Sequence, residues 1–385
     1  MQQHSIPLKP DSGDGTRSLH PSQVSSEHQL KTALNGLING DFQHRWQVVK
    51  QFPDVGEAAI APLLELLRDE EMEWEVRWFA ARALGHFQQP YVLDALLNLL
   101  TTTPDDELQT TAAAAVGQFG AASIAPLAQL MEQPGQRLLA VRTLANIRHP
   151  DALPPLLAAV TDTNATVRAT AIATLGNLQS RHQSDAVVDA LLQALHDPDA
   201  TIRQEAVTAL GRWAEQQNTP ELVHALVPYL WDLSLPVCQA TARTLGRLGT
   251  PPAIAAMTQA LHTPHTPEIL QISLVQGLGW QPQDISLDAL IATWEKASQA
   301  VRLELIDVLS RMESSPLQQA AGDALCQWLR SLLHDPQAAD LKQALALALG
   351  QLQVEGAQSL LNHLCQDADE RVQIYADAAL RQLTR

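Results

Sequence analysis

The residues best suited to chemistry are scattered along the chain without a catalytic pattern. The thirteen histidines include one close pair, His262 and His265, in a turn with two prolines that makes a poor frame for metal ligands. Two acidic runs, at 69–71 and 105–107, fall beside predicted helix starts, where the helix dipole favours carboxylates. The sequence has no nucleophile elbow, Walker loop or glycine-rich dinucleotide turn. We therefore predict no catalytic residue, no metal site and no cofactor.

One row of aromatic and basic side chains does stand out. Trp46 and Trp78 each precede a basic residue, Lys50 and Arg82, by four positions, which places each pair on one face of a helix. Aromatic and arginine side chains are enriched at the centres of protein interfaces. Together with residues at equivalent positions further along, they predict a partner-binding surface made by Trp46, Lys50, Trp78, Arg82, Leu138, Arg142 and Arg243.

These residues belong to a segment that recurs along the chain. Its form is apolar–Arg–x–x–Ala–apolar–x–x–Leu–Gly, as in VRWFAARALG (76–85), VRATAIATLG (167–176) and IRQEAVTALG (202–211). Eleven copies follow one another every 28 to 40 residues, and their last positions run from Pro53 to Arg381. Self-similarity at such a period is the sequence signature of a repeat solenoid.

A second apolar signature, such as IAPLLELL (60–67), lies between the copies. Both signatures have the spacing of an amphipathic helix, so each unit is predicted to be a helix A, a turn and a helix B. The predicted fold class is therefore all-α, an α-solenoid of about eleven helical hairpins that form one right-handed superhelix over residues 30–385. Residues 1–29, which are polar and rich in Pro and Ser, are predicted to be a disordered tail.

Four columns of helix B have predicted structural roles. The leucine before the final glycine is expected in the core, and a small residue five before the glycine allows close helix approach. The glycine is expected to end helix B in a left-handed conformation. The arginine eight before the glycine is expected to bind carbonyls or turn carboxylates of an adjacent unit; its copies are Arg45, Arg77, Arg137, Arg168, Arg203 and Arg302.

The recurring motif resembles the short HEAT-like repeats of phycobilisome lyases, and the resemblance covers residues 30–385. It implies a cyanobacterial origin, and it is specific for the fold but not for the function. Similar repeats build phycobilin lyases, a phycobilisome-degradation factor, an iron–sulfur assembly partner and deoxyhypusine hydroxylases. Those hydroxylases carry His-Glu dipeptides that ligate two irons, and this sequence has no such dipeptide.

Two functions remain open at this point. The first is a non-enzymatic scaffold that binds an unidentified partner protein on the concave face, which helix B lines in solenoids of this type. The alternative is a phycobilin lyase, or a phycobilisome assembly or degradation factor, that binds a bilin and a phycobiliprotein. In that case Arg82 or Arg142 would hold the bilin propionates.

A structural interpretation of the aromatic and basic row also remains open. The two tryptophans could fill gaps between helices, with the basic side chains paired to local acids such as Glu75. The column three residues before each repeat end favours binding, because its first seven copies include four basic residues and no acid. The whole chain, by contrast, has 25 basic and 42 acidic residues.

Charge and composition narrow the class of partner. The net charge of −17 disfavours the phosphate backbone of nucleic acids. No stretch of the sequence is apolar for long enough to predict a transmembrane helix. The three cysteines form no C-x-x-C pair, which is typical of a reducing compartment, so we expect a cytoplasmic protein.

Overall fold

The computed structural model describes residues 21–177, 184–217, 220–280, 283–312 and 315–383. Its regular structure over these residues is entirely helical. The chain divides into two compact units, Met1–Ala152 and Leu153–Arg385. The first helix begins at Pro21, inside the stretch predicted as a tail, and residues 1–20 lie outside the described residues.

The first unit has a layer of A helices and a layer of B helices that pack against each other. The A layer contains α1 (Pro21–Asn39), α3 (Phe52–Val55), α4 (Ile60–Arg68), α6 (Pro90–Thr102) and α8 (Ala121–Leu130). The B layer contains α2 (Phe42–Val49), α5 (Trp74–Leu84), α7 (Asp106–Gly117) and α9 (Arg137–Leu144). Each B helix packs against the next one along the chain.

The second unit repeats this arrangement. Its A helices are α10 (Leu153–Ala159), α12 (Ser184–Ala194), α14 (Pro220–Leu226), α16 (Pro251–His262), α18 (Asp284–Thr293), α20 (Ser315–Leu332) and α22 (Gln358–Leu364). Its B helices are α11 (Ala165–Asn177), α13 (Ala200–Gln217), α15 (Leu235–Leu248), α17 (Glu268–Trp280), α19 (Gln299–Leu309), α21 (Ala339–Gln351) and α23 (Glu370–Leu383). Short 3₁₀ turns at Gly56–Ala59, Pro150–Ala152, Val227–Trp231, Trp294–Lys296 and Glu355–Ala357 extend several A helices.

Eleven A–B hairpins can thus be followed through the described residues, which confirms the predicted all-α solenoid. The longest interval between repeat ends, the 40 residues from Ser310 to Gly350, contains the 18-residue helix α20. The single right-handed superhelix stays a prediction. No helix in the described part of the chain combines the length and apolarity needed to cross a bilayer.

The core columns lie where the sequence predicts them. The residue before each repeat end is at most 1% exposed in nine units: Leu84, Val116, Leu144, Leu175, Leu210, Leu245, Leu278, Leu309 and Leu349. The alanines five positions before the repeat end are fully buried as well, for example Ala80 and Ala171. In the last described helix Leu380 is only partly buried.

The glycine column has a different role from the predicted one. Among described residues the left-handed glycines are Gly56, Gly120 and Gly249, and none of them ends a repeat motif. A Cβ built on Gly176 would lie 2.5 Å from the Cβ of Ala209, and one on Gly246 would lie 2.5 Å from the Cα of Gly277. The prediction of a left-handed helix stop was therefore wrong. At these positions glycine allows the backbones of neighbouring B helices to approach closely.

The column eight residues before the repeat end supplies a hydrogen-bond donor to its own unit. Arg203 Nη1 donates to the carbonyl of Asp197 at 2.9 Å. Equivalent side-chain bonds run from Gln109 to Leu100 O, from Cys238 to Asp232 O, from Gln271 to Thr266 O and from Gln373 to Asp367 O. These carbonyls lie at or just beyond the end of helix A, where no helical N–H remains to bind them. The column therefore requires a donor, and arginine is one of several residues that provide it.

In part of the second unit the same arginine also reaches the next hairpin. Arg168 donates from Nε and Nη2 to the two carboxylate oxygens of Asp197, at 2.8 and 3.0 Å. Arg203 does the same to Asp232, at 2.7 Å for both bonds. Each aspartate also accepts the backbone N–H two residues further on. These contacts confirm the predicted binding of turn carboxylates of an adjacent unit, whereas the carbonyls that the arginines bind belong to their own unit.

Candidate functional site

Four aromatic side chains of α2 and α5 form one cluster in the first unit. The rings of Trp46 and Trp78 are stacked, with centroids 6.1 Å apart and an interplanar angle of 26°. Phe42 stacks on Trp46 at 6.3 Å, and Phe79 meets Trp78 edge-on at 4.7 Å. Phe79 is fully buried and Phe42 is 53% exposed, so the cluster runs from the core to the surface.

Helix geometry positions these side chains. Asp41 caps α2 by accepting the N–H of His44 at 2.8 Å, which fixes the start of this short helix. Phe42, Trp46 and Lys50 then follow at intervals of four residues on one face of α2 and its C-cap. Trp78 and Arg82 have the same spacing on α5, and α5 packs beside α2.

Arg82 joins the two hairpins through cation–π contacts. The carbon of its guanidinium lies 4.4 Å from the ring centroid of Trp46 and 5.6 Å from that of Trp78. Both distances are within the range in which the negative face of an indole attracts a cation. The side chain is partly exposed and lies in the last turn of α5, where the helix dipole also favours a positive charge.

Two acids at the start of α5, Glu73 and Glu75, are paired with another arginine. Arg45 is 5% exposed and donates to Glu73 at 2.8 Å and to Glu75 at 2.7 Å. Within the described residues neither Lys50 nor Arg82 makes a hydrogen bond or an ion pair through its side chain. One part of the structural interpretation, the pairing of Lys50 and Arg82 with Glu75, is thus contradicted. Its other part, packing of the tryptophans between neighbouring helices, agrees with the stacking of Trp46 on Trp78.

The other predicted residues lie further along the B layer. On α9, Leu138 is partly buried and Arg142 is exposed, one helical turn apart. Between α5 and α9 lies α7, whose exposed positions in the same columns are the small residues Thr110 and Ala114. We call the surface formed by these positions the α2–α9 face: Trp46, Lys50, Trp78, Arg82, Thr110, Ala114, Leu138 and Arg142.

Not all predicted site residues meet. The structure brings Trp46, Trp78 and Arg82 into contact, while Lys50 and Arg142 have exposed side chains without ring or ion contacts in the described residues. Arg243 is exposed on α15 in the second unit. Sequence reasoning missed Phe42 and Phe79. For Phe42 a signal was available, because it precedes Trp46 by one helical turn.

The remaining reactive side chains have structural environments. Asp105 caps α7 by accepting Leu108 N at 2.8 Å, and Asp69 accepts Glu71 N at 3.0 Å, so both acidic runs stabilise turns. Burial raises the pKa of the Cys238 thiol, which disfavours the nucleophilic thiolate. His262 is paired with the hydroxyl of Thr293 at 3.2 Å. Over the described residues, no three His, Cys, Asp or Glu side chains form a group able to hold a metal ion.

Comparison with solved structures shows the same architecture. Kap95p, whose binding induces the switch loops of RanGDP to adopt the GTP-bound conformation, has 14% identity and a TM-score of 0.53, over 94% of this chain and 56% of its own. Kap121p has 14% identity and a TM-score of 0.52, over 94% of this chain and 49% of its own. A second structure of Kap95p, which is yeast importin-β, has 14% identity and a TM-score of 0.50, over 92% of this chain and 57% of its own. The chain therefore spans about half the length of these two proteins, and the likeness concerns the fold alone.

The sequence itself was compared with known families and with curated proteins. No curated protein matches it. The family described as HEAT repeats matches four overlapping segments, residues 30–117, 60–138, 124–211 and 188–278. These segments run without a gap over more than half of the chain, and the helical hairpins described above extend beyond them. The chain belongs to the HEAT-repeat family.

Proposed function

We propose that this chain is a scaffold that holds a partner protein on its α2–α9 face. The observation that carries the proposal is the guanidinium of Arg82, which lies over two indole rings and forms no ion pair within the described residues. An ordered arginine among partly exposed aromatic rings has the composition of an interface hot spot. The fold supports this role, since repeat solenoids present extended surfaces that bind proteins.

The shape of the face agrees with a protein ligand. Bulky rings on α2 and α5 stand beside the small side chains Thr110 and Ala114 on α7, and beyond these lie Leu138 and Arg142. Neighbouring helix axes are about 8–10 Å apart, so this face extends over some three such spacings, or about 25–30 Å. That length suits a peptide segment or a helix better than a small compact ligand.

Removing the centre of the face should abolish capture of the partner. We expect the double variant Trp78→Ala/Arg82→Ala to weaken binding at least about tenfold, because hot-spot truncations cost about 2 kcal/mol or more. The partner would be recovered from the source cell by affinity capture and mass spectrometry, and its affinity then measured by titration calorimetry.

A matched control is available in the same hairpin. Trp74 is 50% exposed on α5 and Arg68 is exposed on α4, so Trp74→Ala/Arg68→Ala removes the same two residue types from outside the cluster. It should retain wild-type affinity. Equal affinities of the two double variants for the recovered partner would place the binding surface elsewhere.

A bilin-binding role is the second candidate, and the aromatic cluster gives it a specific basis. A tetrapyrrole is flat and carries propionates, so it could stack on Phe42 and Trp46 while Arg82 or Arg142 pairs with a carboxylate. If the chain is a phycobilin lyase or a phycobilisome assembly or degradation factor, phycocyanobilin added to it should show a red-shifted absorbance. That shift should be lost in the Trp78→Ala/Arg82→Ala variant, and an unchanged spectrum with the wild type would eliminate this candidate.

A further inference from the structure

We propose that the partner docks through an acidic segment, in which one carboxylate pairs with Arg82 and a neighbouring apolar side chain covers Phe42. The occupant is thus a stretch of a partner protein with an Asp or Glu next to a large apolar residue. This inference rests on the proposed function and adds the chemistry by which the partner is recognised.

The donors of Arg82 define the acidic part of the motif. A guanidinium has five N–H donors in a fixed plane, and it can bind both oxygens of a carboxylate at once. Arg82 makes no hydrogen bond through these donors within the described residues, although its guanidinium carbon is only 4.4 Å from the Trp46 ring centroid. The two indole rings hold the guanidinium in place, and its N–H donors remain available to a ligand.

Stacking makes this arginine a better receptor than a mobile surface arginine. A free arginine side chain has about 2 kcal/mol of rotamer entropy to lose on binding. The contacts of Arg82 with Trp46 and Trp78 already restrict it in the unbound chain. A ligand that meets a pre-ordered group loses less entropy, so affinity rises without new contacts.

Local charge favours an acid over other polar ligands. The carboxylates of Glu73 and Glu75 are bound to Arg45 and do not neutralise Arg82. Lys50, exposed one turn after Trp46, adds a second positive charge on the α2–α9 face. The eight positions of the α2–α9 face include three basic residues and no acid, the opposite of the chain's net charge of −17, so the face favours acidic segments.

Phe42 defines the apolar part of the motif. Its ring is 53% exposed although it stacks on Trp46 at 6.3 Å and lies 5.3 Å from Phe79. A large aromatic side chain that is left half-exposed, and that contacts the same Trp46 ring as Arg82, offers an apolar area that a ligand can cover. A carboxylate alone would leave the Phe42 ring in water. An acidic residue next to an apolar one would pair with Arg82 and also cover Phe42.

Selection from a random peptide library tests the proposal without a known partner. Displayed peptides of about twelve residues, long enough to cross several helices, are selected on the full wild-type chain. We expect enrichment of sequences with Asp or Glu beside Phe, Leu, Trp or Ile. A synthetic peptide from this set is then titrated against wild type, Trp78→Ala, Arg82→Ala, Arg82→Lys and the control Arg68→Ala.

The decisive comparison is a double-mutant cycle between the peptide acid and Arg82. Changing the peptide Glu to Gln should weaken binding to wild type about tenfold, and Arg82→Ala should weaken it by a similar factor. The two changes together should cost little more than either one. Arg82→Lys should also bind weakly, because an ammonium lacks the planar fork, and circular dichroism confirms that each variant is folded.

The failures of the two proposals are distinguishable. Enrichment of peptides without acids, or equal affinity for the Glu and Gln peptides, would overturn the carboxylate motif. If such peptides still lost affinity in Trp78→Ala, the docking face itself would stand. If the selected peptides bound Trp78→Ala and Arg82→Ala as tightly as they bind the wild-type chain, both proposals would be contradicted.

Discussion

Replacing Arg203 by alanine should destabilise the second unit by about 3–5 kcal/mol, the range for breaking a buried ion pair by removing one partner. Arg203 and Asp232 have side chains that are only 15% and 7% exposed. Loss of the guanidinium would leave the Asp232 carboxylate without its cation. It would also remove the donor for the carbonyls of Asp197 and Pro198, at 2.9 and 3.1 Å. Urea unfolding followed by circular dichroism measures the loss.

An exposed arginine–aspartate pair provides the control. Arg311 and Asp307 form an ion pair whose side chains are 69% and 49% exposed. Exposed pairs of this kind contribute about 0–1 kcal/mol, so Arg311→Ala should leave the unfolding midpoint nearly unchanged. Equal effects of Arg203→Ala and Arg311→Ala would show that the buried pair does not couple the hairpins.

The same pair makes stability depend on pH in a known direction. Hydrogen bonds from Arg203 hold the pKa of Asp232 below its ordinary value of 3.8, against the opposing effect of burial. The aspartate binds protons more weakly in the folded chain than in the unfolded one. Its contribution is therefore complete above about pH 4 and is lost as the pH falls through the folded pKa. The stability difference between wild type and Arg203→Ala should shrink over that acidic range.

The hairpin architecture follows from the sequence because one pattern is repeated eleven times. The period of the clear copies fixes where a degenerate copy must lie between them. The buried leucines confirm this alignment of the repeats. The glycine column shows the limit of this reasoning. A glycine after an apolar run fits a helix stop as well as a close contact, and only the position of the next B helix distinguishes them. At Gly176 that neighbour is Ala209, 33 residues away in sequence.

The candidate site was predictable only in part, for a similar reason. The four-residue spacing places Trp78 beside Arg82 within one helix, and the repeat period places Trp46 next to them from the preceding helix. The sequence does not determine which basic side chain forms the ion pairs with Glu73 and Glu75. That choice depends on the burial of Arg45, which binds both Glu73 and Glu75 and leaves Arg82 to the indoles.

Replacing Leu349 by alanine should cost about 2–5 kcal/mol, because the side chain is fully buried in α21 and its loss leaves a cavity. In a solenoid each unit is stabilised mainly by its neighbours, so the damage should stay local. We expect faster amide hydrogen exchange in α19, α20, α21 and α23, which pack against one another through α21. Exchange in the first unit should change little.

Leu347, two residues earlier on the same helix, is the matched control for this prediction. It is 40% exposed in the column that forms the α2–α9 face in the first unit, so Leu347→Ala removes the same atoms from a site open to solvent. Substitutions at such surface positions change stability by about 0.5 kcal/mol or less. Exchange mass spectrometry on both variants separates a core role from a surface role. Equal protection of the amides in the two variants would contradict a core role for Leu349. Loss of protection in every hairpin of Leu349→Ala would show that the solenoid unfolds as a single cooperative unit.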